Sequence, residues 1–179
     1  CIHKMIGGEL DSGDIIMKTF LSININTRVG QVYEWMEKEI PNLIYKSIEK
    51  LTNESFIPEK QSVNPDDAIR TYPRNPDDGE IDWTLNADYI VRLINASSEP
   101  FSGAFSYYNG EKIIIWRAKL FSDHENYYAV PGQISKIDKL TGNIIIISGN
   151  GKVEVEEIEH DNKRGKPIEF VNSIRSRFK

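Results

Sequence analysis

The chain has 179 residues, enough for one domain with a sizeable core or for a domain with an appendage. Hydrophobic residues make up 39% and charged residues 27%, proportions that are ordinary for a soluble globular protein. The net charge of -5 argues mildly against general nucleic-acid binding, which favours a basic surface. Cys1 alone cannot form an internal disulfide, and no apolar run reaches the roughly 20 residues that span a bilayer. We therefore expect a cytoplasmic protein without a membrane partner.

A glycine-rich acidic loop lies near the N-terminus. Its residues are Gly7-Gly8-Glu9-Leu10-Asp11-Ser12-Gly13-Asp14. Glycines on both sides of Asp11 allow a sharp turn and a close approach of main-chain amides to a ligand. The same residue types form ordinary turns, so these residues alone favour a plain turn over a site. A calcium loop is less favoured still, because the alternating oxygen ligands and the closing Glu of an EF-hand are missing around Asp11. Alternating apolar residues predict a strand over residues 15–23.

A long helix is predicted next. Thr27 can cap it, and apolar residues recur at steps of three and four from Val29 to Leu51. Pro41 is expected to kink or divide this helix, because it removes a backbone hydrogen bond. From Thr52 to Pro76 the chain is polar and rich in proline, a composition typical of a linker.

The rest of the chain combines a short helix with β-strands. Asn86 lies near the predicted start of the helix, after which the apolar period changes to two. Asn109-Gly110 predicts a type I′ hairpin between residues 104–108 and 112–121. Further strands are predicted at residues 131–137, 144–148 and 153–158, and a helix at residues 168–178. Five short antiparallel strands indicate a small barrel or sandwich.

Three blocks of the sequence resemble the family of 10-formyltetrahydrofolate-dependent formyltransferases. The first is Ile2-His3-Lys4-Met5 with Leu10-Asp11-Ser12-Gly13-Asp14-Ile15-Ile16. The second is Arg74-Asn75-Pro76-Asp77-Asp78-Gly79-Glu80-Ile81-Asp82-Trp83. The third is Leu93-Ile94-Asn95-Ala96 with Pro100-Phe101-Ser102-Gly103-Ala104-Phe105. The family often has Arg where Asn95 stands and Pro where Ser102 stands, so contacts of those two side chains do not carry over.

The resemblance implies an α+β fold in three parts. Residues 1–51 would be the C-terminal end of a Rossmann-like formyltransferase domain, with a loop, a strand and a long helix. Residues 52–80 would be the linker, and residues 81–179 a small OB-like antiparallel β-barrel with flanking helices. In relatives the linker runs along the catalytic domain. Arg70, Tyr72 and Arg74 would then be within reach of substrate phosphates, although solvated linker charges are the commoner case.

The resemblance also implies a reaction and a site. The formyl donor would be 10-formyltetrahydrofolate, and Asp11 would be catalytic as a base or as a group that orients a histidine. Gly8, Glu9 and Leu10 would line the folate through main-chain groups, and no metal is implied. Relatives place a catalytic Asn and His well upstream of this Asp. No Asn-x-His pair occurs in the chain, and His3 is not that histidine, so we expect the chain alone to be inactive.

The acceptor amine is left open between two branches of the family. A methionyl-tRNA enzyme should carry a basic barrel, yet residues 82–179 contain 13 Lys and Arg against 13 Asp and Glu. The block that begins at Pro76 also looks more like the sugar-nucleotide branch. We therefore favour an amino-sugar nucleotide as the small-molecule partner, with tRNA as the alternative, and a homodimer stays open.

A hypothesis of another class is a non-catalytic OB-like binding module. Such surfaces combine aromatic platforms with a positive groove. The aromatic candidates are Tyr107, Tyr108, Trp116, Tyr127 and Tyr128, but few basic residues lie between them. Core positions are the commoner place for such side chains.

Overall fold

The structure is a computed structural model that describes residues 1–8 and 11–179. It divides into two units. The first comprises Cys1–Ser22 and Gln31–Pro73, and the second comprises Ile23–Gly30 and Arg74–Lys179. No helix in the described part of the chain has the length and apolarity that crossing a membrane requires.

The first unit opens with a two-stranded antiparallel sheet. Its strands are β1 (Ile2–His3) and β2 (Ile15–Met17). On its other side β2 meets the chain at Glu59, where the two main-chain bonds between Ile15 and Glu59 measure 2.7 and 2.8 Å. The sequence predicts a strand over residues 15–23, but the strand that forms, β2, is only three residues long. Beyond it, Phe20 remains 80% exposed.

Helix α1 (Val29–Leu51) has the predicted bounds. The sequence predicts that Pro41 kinks or divides the helix, and division does not occur, because α1 continues through Pro41. Proline removes one hydrogen bond, and about three turns remain on each side. The predicted Thr27 cap takes another form. Thr27 Oγ1 accepts a 2.9 Å hydrogen bond from the amide of Asn24 and so closes the turn before the helix.

One face of α1 is apolar and exposed. Met36, Ile40, Ile44 and Ile48 follow one another at intervals of four residues, and each is 37–57% exposed. Of the residues on α1, only Leu43 and Ser47 are buried. A continuous apolar stripe of this kind is typical of a helix face that packs against another element.

The second unit contains helix α2 (Ala87–Ser97) and a six-stranded antiparallel sheet. The strands are β3 (Ala104–Tyr108), β4 (Glu111–Phe121), β5 (Ile134–Ile137), β6 (Ile144–Ile147), β7 (Lys152–His160) and β8 (Lys163–Gly165). Their order is β3-β4-β7-β6-β5, and β8 pairs with β7. Ile90, Val91 and Ile94 of α2 are at most 1% exposed and pack into the core formed with the sheet.

The predicted β3–β4 hairpin is confirmed. Tyr108 pairs with Glu111, and the two residues between them, Asn109 and Gly110, have φ values of 53° and 88°. Two positive φ values are what a type I′ turn requires, and Asn-Gly supplies them at low cost. The four isoleucines of β6 are all buried, as their uninterrupted run predicts.

The chain end corrects the prediction of a helix at residues 168–178. A single 3₁₀ turn, Pro167–Glu169, is formed, and the last residues are extended. Lys179 exchanges two main-chain hydrogen bonds with Tyr107, and the Phe178 amide donates to Gly132 O at 2.9 Å. Phe178 is 1% exposed in the core. Burial of this ring and pairing with the sheet outweigh the helical spacing of the apolar residues.

The predicted OB-like barrel is not found in closed form. Within the described residues β3 and β5 end the sheet on its two sides and do not pair with each other. Isolated bridges join the chain end to both sides, from Phe178 to Tyr108 and from Arg177 to Gln133. β8 was not predicted, because three residues of the sequence Lys-Arg-Gly carry no strand signal. The fold is a mixed one of helix and antiparallel sheet.

A buried lysine holds the β4–β5 loop. Lys152 is 3% exposed, and its ammonium group lies 2.7 Å from Asp123 and 2.6 Å from Glu125, with the Tyr127 ring 4.6 Å away. Burial works against the charge on Lys152, but the hydrogen bonds that it donates to the two carboxylates dominate, and its pKa lies above the usual value.

We expect the combined change Asp123→Asn and Glu125→Gln to destabilise the second unit more than Lys152→Met does. The first change leaves a buried cation without a charged partner, whereas the second removes the cation and leaves two exposed carboxylates. Urea denaturation of the three proteins checks the ranking. A larger loss for Lys152→Met would contradict it.

Glu99 joins two parts of the second unit. Its carboxylate accepts hydrogen bonds from Arg28, at 2.6 Å, and from Arg164. Burial raises the pKa of Glu99, but the Arg164 hydrogen bond and the charges of both arginines outweigh that effect, so its pKa lies below the usual value. A carboxyl group whose pKa is lower in the folded chain stabilises the fold at pH values above its ordinary pKa of 4.5. This contribution is lost as the pH falls through the lowered pKa.

The stability difference between the wild-type chain and a Glu99→Gln variant should therefore be largest at neutral pH. It should shrink as the pH is lowered below about 4.5, because the wild-type carboxyl group then becomes neutral too. Thermal melts of both proteins between pH 7 and pH 3 measure it. A difference that does not change over this range would exclude the charge as its cause.

Candidate functional site

The acidic loop joins β1 to β2, and their antiparallel pairing makes it turn back on itself. Gly8 has a φ of 88° and Asp11 a φ of 54°. Gly13 lies against the start of the loop, where a Cβ atom would be 1.9 Å from the Lys4 carbonyl oxygen. Only glycine fits at this position. The predicted donor-binding residues Glu9 and Leu10 lie outside the described residues.

The Asp11 carboxylate points to solvent and is 91% exposed. Its Oδ1 lies 3.4 Å from Nε2 of His3, and Nδ1 of that ring is 2.9 Å from the Lys4 carbonyl oxygen. Since a carbonyl oxygen only accepts, Nδ1 must carry a proton, and the contact between Nε2 and Asp11 becomes an ion pair when the ring is charged. An exposed carboxylate next to an imidazole is able to accept a proton from a bound amine.

Gln61 holds the loop from outside it. Its Nε2 donates to the main-chain oxygens of Asp11 and Gly13, both at 2.7 Å. The neighbouring Glu59 pairs with β2, which keeps this part of the chain beside the loop. Sequence reasoning missed Gln61. It lies 50 residues from Asp11, in a stretch whose composition indicates only a linker.

The structure places the other candidates as follows. The Arg70 guanidinium lies 5.4 Å from the centre of the Tyr72 ring, and Arg74 donates a hydrogen bond to the carbonyl oxygen of Asp78. Within residues 1–8 and 11–179 no group of three or more His, Cys, Asp or Glu side chains is placed to hold a metal ion.

The acidic strand β7 is paired with cations. Lys119 contacts Glu154 and Glu156, while Arg117 contacts Glu157 at 3.0 Å. The hydrogen bond from Lys119 to Glu156 raises the pKa of the lysine despite its partial burial. Glu159 accepts a 2.7 Å hydrogen bond from the Trp116 indole. The cationic side chains in these contacts are already paired with glutamates, whereas a nucleic-acid-binding surface needs them to contact phosphates.

The aromatic residues do not form an exposed platform. Tyr108 and Trp116 are 6% and 8% exposed, which makes them core residues. Tyr127 lies over the Lys152 ammonium, and Tyr128 is fully exposed on the same loop. The alternative of a single-strand binding module is not favoured by this arrangement.

Comparison with known proteins decides the family. The family model for the formyl transferase C-terminal domain matches residues 74–175, more than half of the chain. The chain belongs to the formyl transferase family. The match lies in the second unit and includes the second and third sequence blocks.

Two curated relatives of this formyl transferase chain carry different names. Methionyl-tRNA formyltransferase of Acetivibrio thermocellus is 25% identical over 162 residues, which cover 89% of the chain and 50% of the relative. Bifunctional polymyxin resistance protein ArnA of Wigglesworthia glossinidia brevipalpis is 30% identical over 144 residues, covering 78% and 20%. The chain thus spans half the length of the first relative and a smaller part of the second.

A solved structure supports the fold. The crystal structure of HypX from Aquifex aeolicus in complex with tetrahydrofolic acid matches with a TM-score of 0.62 and 16% identity. The match covers 94% of the chain and 29% of HypX. At this identity the likeness concerns the fold alone.

Proposed function

We propose that the chain is the C-terminal part of an N-formyltransferase that transfers a formyl group from 10-formyltetrahydrofolate to the amine of an amino-sugar nucleotide. The match of residues 74–175 to the formyl transferase C-terminal domain carries the proposal. The tetrahydrofolic acid in the HypX structure supports the donor, and the name of the relative from Acetivibrio thermocellus supports formyl transfer as the reaction.

Residues 1–51 are, in this proposal, the end of a Rossmann-like catalytic domain, residues 52–80 its linker and residues 81–179 an OB-like domain. The exposed stripe on α1 supports the first assignment, because four large apolar side chains at four-residue spacing need a partner surface. The chain matches half of the relative from Acetivibrio thermocellus, and the proposal assigns the partner surface to a counterpart of the other half. The proposed compartment is the cytoplasm.

Asp11 is the residue of this chain that acts in the proposed chemistry. Attack of the amine on the formyl carbonyl produces an oxyanion and a protonated amine. When this intermediate collapses, the bond between the formyl carbon and N10 breaks, N10 takes up a proton and tetrahydrofolate leaves. The exposed carboxylate of Asp11 removes the proton from the amine directly or orients a histidine that does so. In this proposal, main-chain groups of Gly8, Glu9 and Leu10 on the same loop line the folate of the formyl donor. The oxyanion requires donors from outside this chain.

The choice of acceptor rests on charge and sequence. Acidic and basic residues balance in residues 82–179, and the β7 glutamates already pair with Lys119, Arg117 and Arg164. A tRNA-binding surface would need unpaired cations along the path of the phosphates. Methionyl-tRNA remains the second candidate, since the relative from Acetivibrio thermocellus bears that name.

A direct comparison of acceptors tests the proposal. The protein encoded by the complete reading frame that contains this chain is supplied with 10-formyltetrahydrofolate and either a panel of nucleoside-diphosphate-linked amino sugars or Met-tRNA. We expect formylation of an amino-sugar nucleotide with a kcat/KM at least about a hundredfold above that for Met-tRNA, the scale set by matched polar contacts. The reverse order would assign the chain to the methionyl-tRNA branch. Transfer to neither acceptor class would refute the function.

Gln61 should position the Asp11 loop in the same enzyme. We expect Gln61→Ala to lower kcat about tenfold to a hundredfold with an unchanged KM for the acceptor, because small displacements of a reacting group are costly. Gln61→Glu, which has the same shape but lacks the amide donors, should be equally impaired. Ser62→Ala serves as the neighbouring control. An unchanged kcat in Gln61→Glu would show that the two hydrogen bonds play no part in catalysis.

A further inference from the structure

A histidine of this chain lies beside the Asp11 carboxylate. Nε2 of His3 is 3.4 Å from Oδ1 of Asp11, and the His3 side chain is 22% exposed. It is not the catalytic histidine that relatives place well upstream, and the proposed function gives it no task. The carboxylate itself is open to solvent on its other sides, where an amine could reach it.

Backbone contacts hold the His3 ring in one orientation. Its Nδ1 atom lies 2.9 Å from the carbonyl oxygen of Lys4. That oxygen packs against Gly13, where a Cβ atom would be only 1.9 Å away, and the Lys4 amide donates to Asp14 O at 3.0 Å. The peptide groups on both sides of Lys4 are therefore fixed against the loop, and the ring directs Nε2 at Asp11.

The same hydrogen bond decides which ring nitrogen carries the proton. A carbonyl oxygen only accepts, so Nδ1 of His3 is the donor, and in the neutral ring Nε2 presents a lone pair to the Asp11 carboxylate. Two acceptors that face each other attract only when a proton lies between them. With one added proton, the pair forms either an O–H···N hydrogen bond or an ion pair between imidazolium and carboxylate. The geometry thus favours the state that holds one extra proton.

Formyl transfer generates such a proton. In the proposed function the Asp11 carboxylate removes it from the protonated amine, which leaves a neutral carboxyl group. Imidazole is a stronger base than a carboxylate and holds a proton much better near neutral pH. Passage of the proton from Asp11 to His3 would therefore be favourable and would restore the charge on Asp11.

We infer that His3 takes up the proton that Asp11 removes from the amine. The inference rests on the proposed function, and His3 is a positioning residue in it, because it acts through Asp11. An N–H bond of the protonated amine breaks and an O–H bond forms on Asp11. This O–H bond then breaks, an N–H bond forms on Nε2 of His3, and the imidazolium pairs with the restored carboxylate. Release of the proton to water returns both side chains to their starting state.

The nitrogen chemical shifts of the His3 ring test the arrangement without any turnover. The protein is the product of the complete reading frame, made with isotope-labelled histidine, and His3→Gln assigns the signal. At about pH 8, where a histidine ring is neutral, we expect Nδ1 to carry the proton and Nε2 to carry none. A proton on Nε2 would overturn the inference, because that nitrogen could then accept nothing from Asp11.

Kinetics of the same protein test the proton transfer. We expect His3→Gln to lower kcat about tenfold to a hundredfold with unchanged KM for both substrates, a smaller loss than removal of Asp11 causes, because water still reaches the exposed carboxylate. The Gln amide can donate to Asp11 but cannot take its proton, so His3→Ala should be equally impaired. The double variant Asp11→Asn with His3→Gln should be no slower than Asp11→Asn alone.

His160→Gln is the matched control. The His160 side chain is 23% exposed and lies 3.0 Å from the Glu111 carboxylate, so it is also a histidine beside an acid, but in the second unit. We expect less than about a threefold change in kcat for this variant, the scale of a surface substitution.

Wild-type kcat in His3→Gln, or losses that multiply in the double variant, would overturn the inference. Retained activity in His3→Gln with a loss in His3→Ala would do so too, since His3 would then only orient Asp11. Failure of the proposed function is seen elsewhere, in a wild-type protein that formylates no amine. Formylation at the wild-type rate by His3→Gln refutes the proton transfer and leaves the function standing.

Discussion

Changing Asp11 to Asn is expected to lower the rate of formyl transfer by about a hundredfold to ten-thousandfold, the range for loss of a general base. The protein for this test is the product of the complete reading frame. Asn keeps the shape of the side chain and tolerates positive φ, here 54°. The carboxylate is 91% exposed, so its replacement should leave the fold intact. The loss should appear in kcat, measured with saturating 10-formyltetrahydrofolate.

The matched control is Asp14→Asn, which removes the same charge three residues further along the loop. Asp14 contacts Lys4 through its main-chain oxygen, which accepts a 3.0 Å hydrogen bond from the Lys4 amide. We expect less than about a threefold change in this variant, the scale of a surface substitution. Equal losses in both variants would indicate an effect of net charge, and an active Asp11→Asn enzyme would exclude a catalytic role.

Trp83→Ala should be among the most destabilising single changes in the second unit. Trp83 is 3% exposed, its ring lies 5.9 Å from that of Phe178, and its indole donates a 2.8 Å hydrogen bond to Ser106 Oγ. Ser106 in turn donates to the main-chain oxygen of Lys179 at 2.8 Å. The truncation therefore leaves a large cavity and weakens the attachment of the chain end. We expect a loss of about 3–5 kcal/mol in the free energy of unfolding.

Chemical denaturation followed by circular dichroism measures this loss, and amide exchange in β6 assigns it to the second unit. Trp83→Phe fills most of the space but cannot donate to Ser106, so a loss of about 1–3 kcal/mol is expected. Tyr128→Ala removes a fully exposed aromatic ring and should change stability by less than about 0.5 kcal/mol. Similar losses in Trp83→Ala and Tyr128→Ala would mean that the core does not depend on this indole.

The elements that could be predicted are those whose signals are local. Asn109-Gly110 determines its own turn, the isoleucine run of β6 is buried along its whole length, and α2 has the expected apolar face. The predictions are wrong where contacts between residues that are distant in the sequence determine the local structure. Phe178 has helical spacing to its neighbours, but its pairing partners Tyr108 and Gly132 lie 46 or more residues away.

The candidate site follows the same rule. Asp11 could be singled out because its loop carries a motif that resembles the family. Composition alone does not distinguish this loop from an ordinary turn. Gln61 acts on the main chain of that loop from 50 residues away, so no sequence spacing could reveal it.

Formyl transfer by the chain alone and by the product of its complete reading frame tests the central claim most directly. Both proteins are supplied with 10-formyltetrahydrofolate and an amino-sugar nucleotide, and the formylated product is detected by mass spectrometry. The longer protein should form the product, and the 179-residue chain, which lacks an Asn-x-His segment, should form none. Turnover by the chain alone, or a longer protein that contains such a segment and formylates no amine, would contradict the assignment of Asp11 to a formyltransferase site completed from upstream.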